Sequence, residues 1–247
     1  MALPYLKKIK EFPHGITVFE VDGDYVRTNV DTEFVNFGHH HKHQHIPENE
    51  FWIDKERVPG EEKFFIDHLL VEHRLMTHGK SFKEASDFAE RVEKREREKS
   101  YRFKKVAKIA HSKEFLEKIH KDILGTYGFL TAWVVDGELI RDFLYINFTE
   151  GGHDLVYSFI PDFEVWIDND LLENERLFVL LHELHERNLM AQGWCYDLPS
   201  ETSDCIQGTA AHQSASEIEY RSRHKPDLLL EHIQKETELA KHLKRTL

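Results

Sequence analysis

Val179-Leu180-Leu181-His182-Glu183-Leu184-His185-Glu186-Arg187-Asn188-Leu189-Met190 has the length of a helix, with two His and two Glu set among aliphatic residues. Residues four apart on a helix lie one turn above each other on one face. His182 and Glu186 therefore share a face with Phe178 and Met190. Polar groups in an apolar stripe cost free energy unless they are ion-paired, hydrogen-bonded or bound to a metal. A partner is required.

The run has an echo 114 positions earlier, Ile66-Asp67-His68-Leu69-Leu70-Val71-Glu72-His73-Arg74-Leu75-Met76. At the same offset Val21-Asp22-Gly23 matches Val135-Asp136-Gly137, Arg27 matches Arg141, and Gly38-His39 matches Gly152-His153. Ile46-Pro47, Glu50 and Trp52-Ile53-Asp54 match Ile160-Pro161, Glu164 and Trp166-Ile167-Asp168. His68 and Glu72 fall on His182 and Glu186, and no gap is needed between residues 21 and 79. Such self-similarity marks an internal duplication, into two units of about a hundred residues, an ordinary domain size.

Of the 247 residues, 40% are hydrophobic, enough for a core in each unit. The net charge of −12 argues against nucleic-acid binding, which needs basic patches. Cys195 and Cys205 are the only cysteines and lie in one loop-like stretch, so no disulfide framework is implied. There is no apolar leader in Met1–Lys8 and no span of membrane length. A soluble cytoplasmic protein without a membrane partner is expected.

Along the chain, residues 1–14 read as a lead-in and Ile16–Val21 as a strand. Asp22-Gly23 reads as a hairpin turn with Tyr25-Val26-Arg27 as the return strand. Phe34–Phe37 suits a short strand, and Glu50–Asp54 a longer one. Between them, the imidazoles of His40 to His45 read as a solvated loop or edge strand with incidental metal affinity. His39 and its counterpart His153 are better candidates, since both copies keep them beside a glycine. Helices follow over 61–78, stopped by Gly79, and from Ser81 to Glu98.

Phe115, Leu116, Ile119 and Ile123 recur at helical spacing, which predicts a linking helix over 101–127. The second repeat should place strands near 129–135, 138–148 and 155–168 around an Asp136-Gly137 turn, then a helix over 173–192 ended by Gly193. An extra loop, Trp194–Gly208, precedes a helix resuming at Ala211-His212. The amphipathic stretch Pro226–Leu247 should pack across a copy or serve a homo-oligomer interface. The expected organisation is a first unit over 1–100, the linking helix, a second unit over 128–224 and a C-terminal helix over 225–247.

His182 and Glu186 at one-turn spacing can reach a single ion, zinc or another divalent metal. Glu183 follows the first ligand directly, which suits a general base acting on a water that the ion acidifies. His212, on the next helix and replaced by Ser86 in the first copy, could be a third ligand. His153 could complete or orient the site, with Asp154 a weaker alternative, and Glu219 and Glu217 are better suited to support the ligands. A buried His–Glu pair that merely orders helix packing would also be kept in both copies. It leaves unexplained why the second copy alone has Glu183, His185 and His212, where the first has Leu69 and Ser86. Asp54 and Asp168, ending their strands, should cap or orient a helix start.

Glu164-Val165-Trp166-Ile167-Asp168, followed by Glu175-Arg176-Leu177-Phe178-Val179-Leu180-Leu181-His182-Glu183-Leu184, resembles the core of zincin metallopeptidases. It is most similar to the compact metallopeptidases of mobile elements that cleave phage repressors. Glu84-Ala85-Ser86-Asp87-Phe88-Ala89 resembles their following helix, and the likeness covers about sixty residues of each copy. Where the zincin motif has its second His, this chain has Glu186, and His185 stands one residue early, about 100° round the helix. The resemblance implies a zincin-like arrangement more than peptidase activity. The His-Glu-Leu-His-Glu-Arg helix also resembles prokaryotic and phage proteins of uncharacterised function.

The expected fold is α+β: two homologous units, each a small, mostly antiparallel sheet with a helix pair, plus the linking and C-terminal helices. The expected function is a metal-dependent hydrolase acting on an unidentified substrate, a protein among the candidates. His182, Glu186, His212 and His153 form the metal set in the second repeat, Glu183 is the catalytic base, and the first repeat is degenerate. The alternative is a non-enzymatic binding or assembly protein of phage or mobile-element origin, with structural His–Glu pairs. Convergence of His182, Glu186 and His212 on one point with an open position favours the enzyme. Burial, mutual hydrogen bonding and no cleft favour the alternative.

Overall fold

The computed structural model describes residues 4–110, 112–197 and 206–243, with the backbone alone for 206–209. The chain forms two compact units, Met1–Leu116 with Glu138–Thr149, and Glu117–Gly137 with Glu150–Leu247. Both are α+β.

In unit 1, β1 (Tyr5–Glu11), β2 (Thr17–Val21), α1 (Gly23–Asn29), β3 (Phe37–His39) and β4 (Glu50–Asp54) precede α2 (Glu62–Thr77), α3 (Phe82–Lys99) and α4 (Tyr101–Val106). The strand order is β1-β2-β4-β3. The outer ladders are antiparallel, but β2 and β4 pair in parallel, with Phe19 opposite Trp52. The sheet is therefore mixed. Successive strand side chains point to opposite faces. Phe51 and Ile53 thus meet Phe65, Ile66 and Leu69 of α2, while Trp52 packs with Val26, Phe34 and Ile46. Ser81 and Glu84 form a reciprocal capping box that starts α3.

After α5 (Lys113–Ile119), the scheme repeats in β5 (His120–Tyr127), β6 (Leu130–Val135), α6 (Gly137–Phe143), β7 (Gly151–His153) and β8 (Glu164–Asp168). The order β5-β6-β8-β7 and the parallel β6/β8 pair, with Trp133 opposite Trp166, reproduce the first sheet. Then come α7 (Glu173–Ala191), the short parallel pair β9 (Trp194–Cys195) and β10 (Ile206–Ala210), α8 (Ala211–His224), a 3-10 turn and α9 (Leu229–His242). Leu180, Leu181 and Leu184 of α7 are fully buried over Leu130, Ala132, Val165 and Ile167, each side chain worth about 1.5–3 kcal/mol. Leu229, Ile233 and Ala240 of α9 join that core, so the C-terminal helix packs on its own unit.

Several sequence expectations are corrected. Asp22-Gly23 and Asp136-Gly137 are not hairpin turns: they begin α1 and α6, so the return strand expected at Tyr25–Arg27 lies in α1, and the one at 138–148 is α6 followed by turns. A parallel β2/β4 pair requires a crossover rather than a tight turn. Asp suits a helix N-cap as well as a hairpin, and the Asp22 side chain accepts the Tyr25 N–H. The glycine is there for space. A Cβ on Gly23 would lie 1.7 Å from Asp54 Oδ2, and one on Gly137 1.9 Å from Asp168 Oδ2. Asp54 accepts the Gly23 N–H and an Arg27 N–H, which fixes the start of α1 rather than that of α2.

The lead-in is an edge strand, β1, and in place of one linking helix over 101–127 stand two short helices, α4 and α5, the second ending at Ile119 where the equivalent edge strand β5 begins. An edge strand with few buried positions offers no clean alternation against the helical spacing, and Ile123 lands exposed. The strand expected over 155–168 is confined to β8, and the one near 34–37 shifts to β3. His40 to His45 is neither edge strand nor uniformly solvated: it is a set of turns with His43 buried. Cys195 is buried and disulfide-bonded, and Cys205 lies outside the described residues. Among the described residues no helix is long and apolar enough to cross a membrane.

Candidate metal centre

Three elements of unit 2 bring the sequence candidates together. β7 supplies His153, α7 supplies His182, Glu183 and Glu186, and α8 supplies His212 and Glu219. His182 Nε2 lies 3.2 Å from His212 Nδ1 and 3.5 Å from Glu186 Oε2, and His212 Nδ1 lies 2.8 Å from the same oxygen. Atoms bound at about 2.1 Å to a tetrahedral ion sit about 3.4 Å apart, so the two His182 distances match an ion-binding triangle, and the His212–Glu186 hydrogen bond would open by about 0.6 Å on binding. His153, Glu183 and Glu186 form a second group whose ligand atoms lie within 4.8 Å of one another.

The supporting bonds fix what each group can do. His182 Nδ1 donates to Glu219 Oε2 at 2.9 Å, which aims Nε2 at Glu186 and His212, as a donor to Glu186 when protonated and as a lone pair for an ion when not. Glu219 is held by Arg223 at 2.9 Å, and Arg223 also donates to the fully buried Glu175. His153 Nδ1 accepts the Leu155 N–H at 3.2 Å, so its Nε2 carries the proton given to Glu186 Oε1 at 3.0 Å. That pattern suits a residue that orients Glu186 better than one that ligates. His185 turns elsewhere, to Glu236 of α9 and Ser214. Glu217 pairs with exposed Arg221, and Asp154 is held by Arg187.

The electrostatics favour a cation. Burial alone would lower the His182 pKa, but hydrogen bonds to Glu186 and Glu219 raise it well above the ordinary imidazole value. Burial pushes Glu186 up, yet hydrogen bonds from His153, His182 and His212 hold it far below the usual carboxylate range. Among the described residues Glu183 has no such donors: burial, then repulsion by Glu186, raises its carboxyl well above normal. The group most ready to exchange a proton is therefore the one beside the ligands.

Residues not singled out from sequence complete the site. Gly151 makes room for Glu183, since a Cβ there would lie 2.9 Å from both Glu183 Oε1 and Val179 Cγ1. Its counterpart in unit 1 is Phe37, which stacks on Phe65 beside Leu69. Exchanging Phe and Leu for Gly and Glu at paired positions was the sequence signal available. Tyr196 stacks on His212 at 5.0 Å, and its carbonyl accepts the His212 N–H. His212 keeps 30% of its side chain exposed, so the cluster opens to solvent on that side.

Unit 1 repeats the frame without the chemistry. His68 Nδ1 bonds Glu93 at 2.8 Å, and His39 Nε2 lies 3.2 Å from Glu72. Leu69 and Ser86 stand where Glu183 and His212 stand in unit 2. No family model, no curated protein and no solved structure matches the chain.

Proposed function

We propose that unit 2 is a metal-dependent hydrolase site of zincin-like arrangement, with zinc or a similar divalent ion held by His182 Nε2, Glu186 Oε2 and His212 Nδ1. One observation carries this reading: three ligand atoms of suitable chemistry sit within 3.5 Å of each other, beside a carboxyl of raised proton affinity. When bound, such an ion polarises a carbonyl and acidifies water. Glu183 takes the proton of the attacking water and returns it to the leaving group. Glu219 fixes the His182 tautomer, and His153 fixes the carboxylate of Glu186. The substrate class we favour is a peptide or amide bond. We place the protein in the cytoplasm, against which the Cys195 disulfide favours an oxidising compartment.

The competing reading, a non-enzymatic assembly protein, draws on one observation: His182, Glu186 and His212 already hydrogen-bond among themselves. A screen of untagged protein against peptide and amide substrates separates the two. Hydrolysis should appear, vanish with a zinc chelator, return with added zinc, and be missing from a His182→Ala, Glu186→Ala variant. Activity indifferent to chelation would remove the metal from the mechanism, and metal-replete protein inert across the screen would favour the assembly protein.

A further inference from the structure

Unit 1 holds a second group of potential ligands, outside the His68–Glu72 frame. Asp31 follows α1, and His43 and His45 lie in the turns between β3 and β4. His43 Nδ1 is 2.8 Å from Asp31 Oδ2, and His45 Nδ1 is 3.6 Å from the same oxygen. Each residue offers one ligand atom, all within 4.8 Å of one another. Asp31 Oδ1 accepts the Glu33 N–H at 3.0 Å, which turns Oδ2 toward the imidazoles.

The duplication provides an internal control. At the corresponding positions the second repeat has Tyr145, Tyr157 and Phe159. There, Tyr157 and Phe159 stack at 5.2 Å, and Phe159 packs against Trp166. In unit 1, His43 and His45 lie 5.5 Å apart, and His45 packs against Trp52. The fold thus needs flat rings at two of these places, and apolar rings serve. Imidazoles there are costly fillers: His43 and His45 each bury an Nε2 that makes no hydrogen bond. A simple His–Asp pair would account for His43 and Asp31, but not for a second imidazole turned to the same oxygen. All three positions carry metal-binding chemistry in one repeat and none of the usual zinc ligands in the other.

We infer that unit 1 carries its own divalent metal site, with His43 Nδ1, His45 Nδ1 and Asp31 Oδ2 as ligands. Two imidazoles and one carboxylate select a borderline ion of the zinc class rather than calcium or magnesium. About a quarter of the Asp31 and His45 side chains is exposed, so an ion can enter and keep a water. Bound there, it ties the segment after α1 to the turns before β4, and stabilises unit 1 by mass action. The site is independent of the hydrolase reading.

The test uses full-length protein carrying His182→Ala and Glu186→Ala, so that the unit 2 cluster is silent. Equilibrium dialysis against zinc should then leave about one equivalent per chain. Adding His43→Tyr and His45→Phe, the second repeat's own residues, should remove it. Asp31→Asn, a smaller change, should weaken binding at least about tenfold, with circular dichroism confirming that each variant folds. Replacing His40 and His41 by Ala should leave the zinc in place. Absence of zinc in the starting variant, retention after the His43/His45 exchange, or loss with His40 and His41 would overturn the assignment.

Discussion

Glu183→Gln should keep the metal of unit 2 and lose about 10²–10⁴-fold in hydrolysis, the usual contribution of a positioned general base. Glutamine has the same shape, so it fits the slot left by Gly151 and disturbs none of the bonds to His153, His182 or His212. It cannot accept the proton. The same change should make metal-free protein more stable at alkaline pH. The Glu183 carboxyl has its folded pKa raised above the ordinary 4.5 by burial and by Glu186. The folded state therefore binds its proton more tightly, and stability falls as pH rises from about 4.5 toward the raised value. Wild type and variant should melt together in acid and diverge above it, with the variant higher. A variant as active as wild type would remove Glu183 from the chemistry. One that loses both metal and activity would make it a ligand instead.

The second large effect lies in unit 1. Glu61, 1% exposed, accepts from Arg141 at 2.6 and 2.8 Å and pairs with Arg97 at 2.8 Å. Those guanidiniums are nearly fully buried against the phenyl rings of Phe64 and Phe65. Burial pushes the Glu61 carboxyl up, but Arg141 and Arg97 hold it below its ordinary value. Removing one partner of a buried ion pair costs about 3–5 kcal/mol, because the other charge stays buried. Glu61→Gln should lower the unfolding free energy read from urea titration by that amount at neutral pH. Its counterpart Glu175 bonds Arg223, which keeps Glu219 as Arg97 keeps Glu93, so Glu175→Gln should cost a similar amount. A loss below about 1 kcal/mol for Glu61→Gln would mean that water or neighbouring acids take over both arginines.

The duplication made most of the framework legible in the sequence. The helix faces of α2 and α7, their stops at Gly79 and Gly193, and β4 and β8 all follow from periodicity and end signals that agree. The Asp-Gly steps misled because hairpin and helix start want the same residues. What decides is a carboxylate from a distant strand, Asp54 or Asp168, occupying the space a Cβ would need. The edge strands β1 and β5 hid for a related reason: with few buried positions, neither shows a clean alternation.

At the candidate centre, His182, Glu183, Glu186 and His212 could be named from spacing and from differences between the copies. Glu175, Arg223 and Tyr196 could not, because their roles depend on how α7, α8 and β9 meet. The sequence sets His39 apart and leaves His40 to His45 as one feature, which the turns divide further. His39 joins Glu72, His43 joins Asp31, and His40 bonds the Ile46 carbonyl.

The central claim is a single ion site on α7 and α8. Metal content, read by plasma mass spectrometry on untagged protein, tests it most directly. The comparison is between protein carrying His43→Tyr and His45→Phe and the same protein with His182→Ala and Glu186→Ala added. About one equivalent of zinc-class metal in the first and none in the second is the expected result. Equal content in the two, or none in either, would contradict the claim and leave the cluster a hydrogen-bonded support for the helix pair.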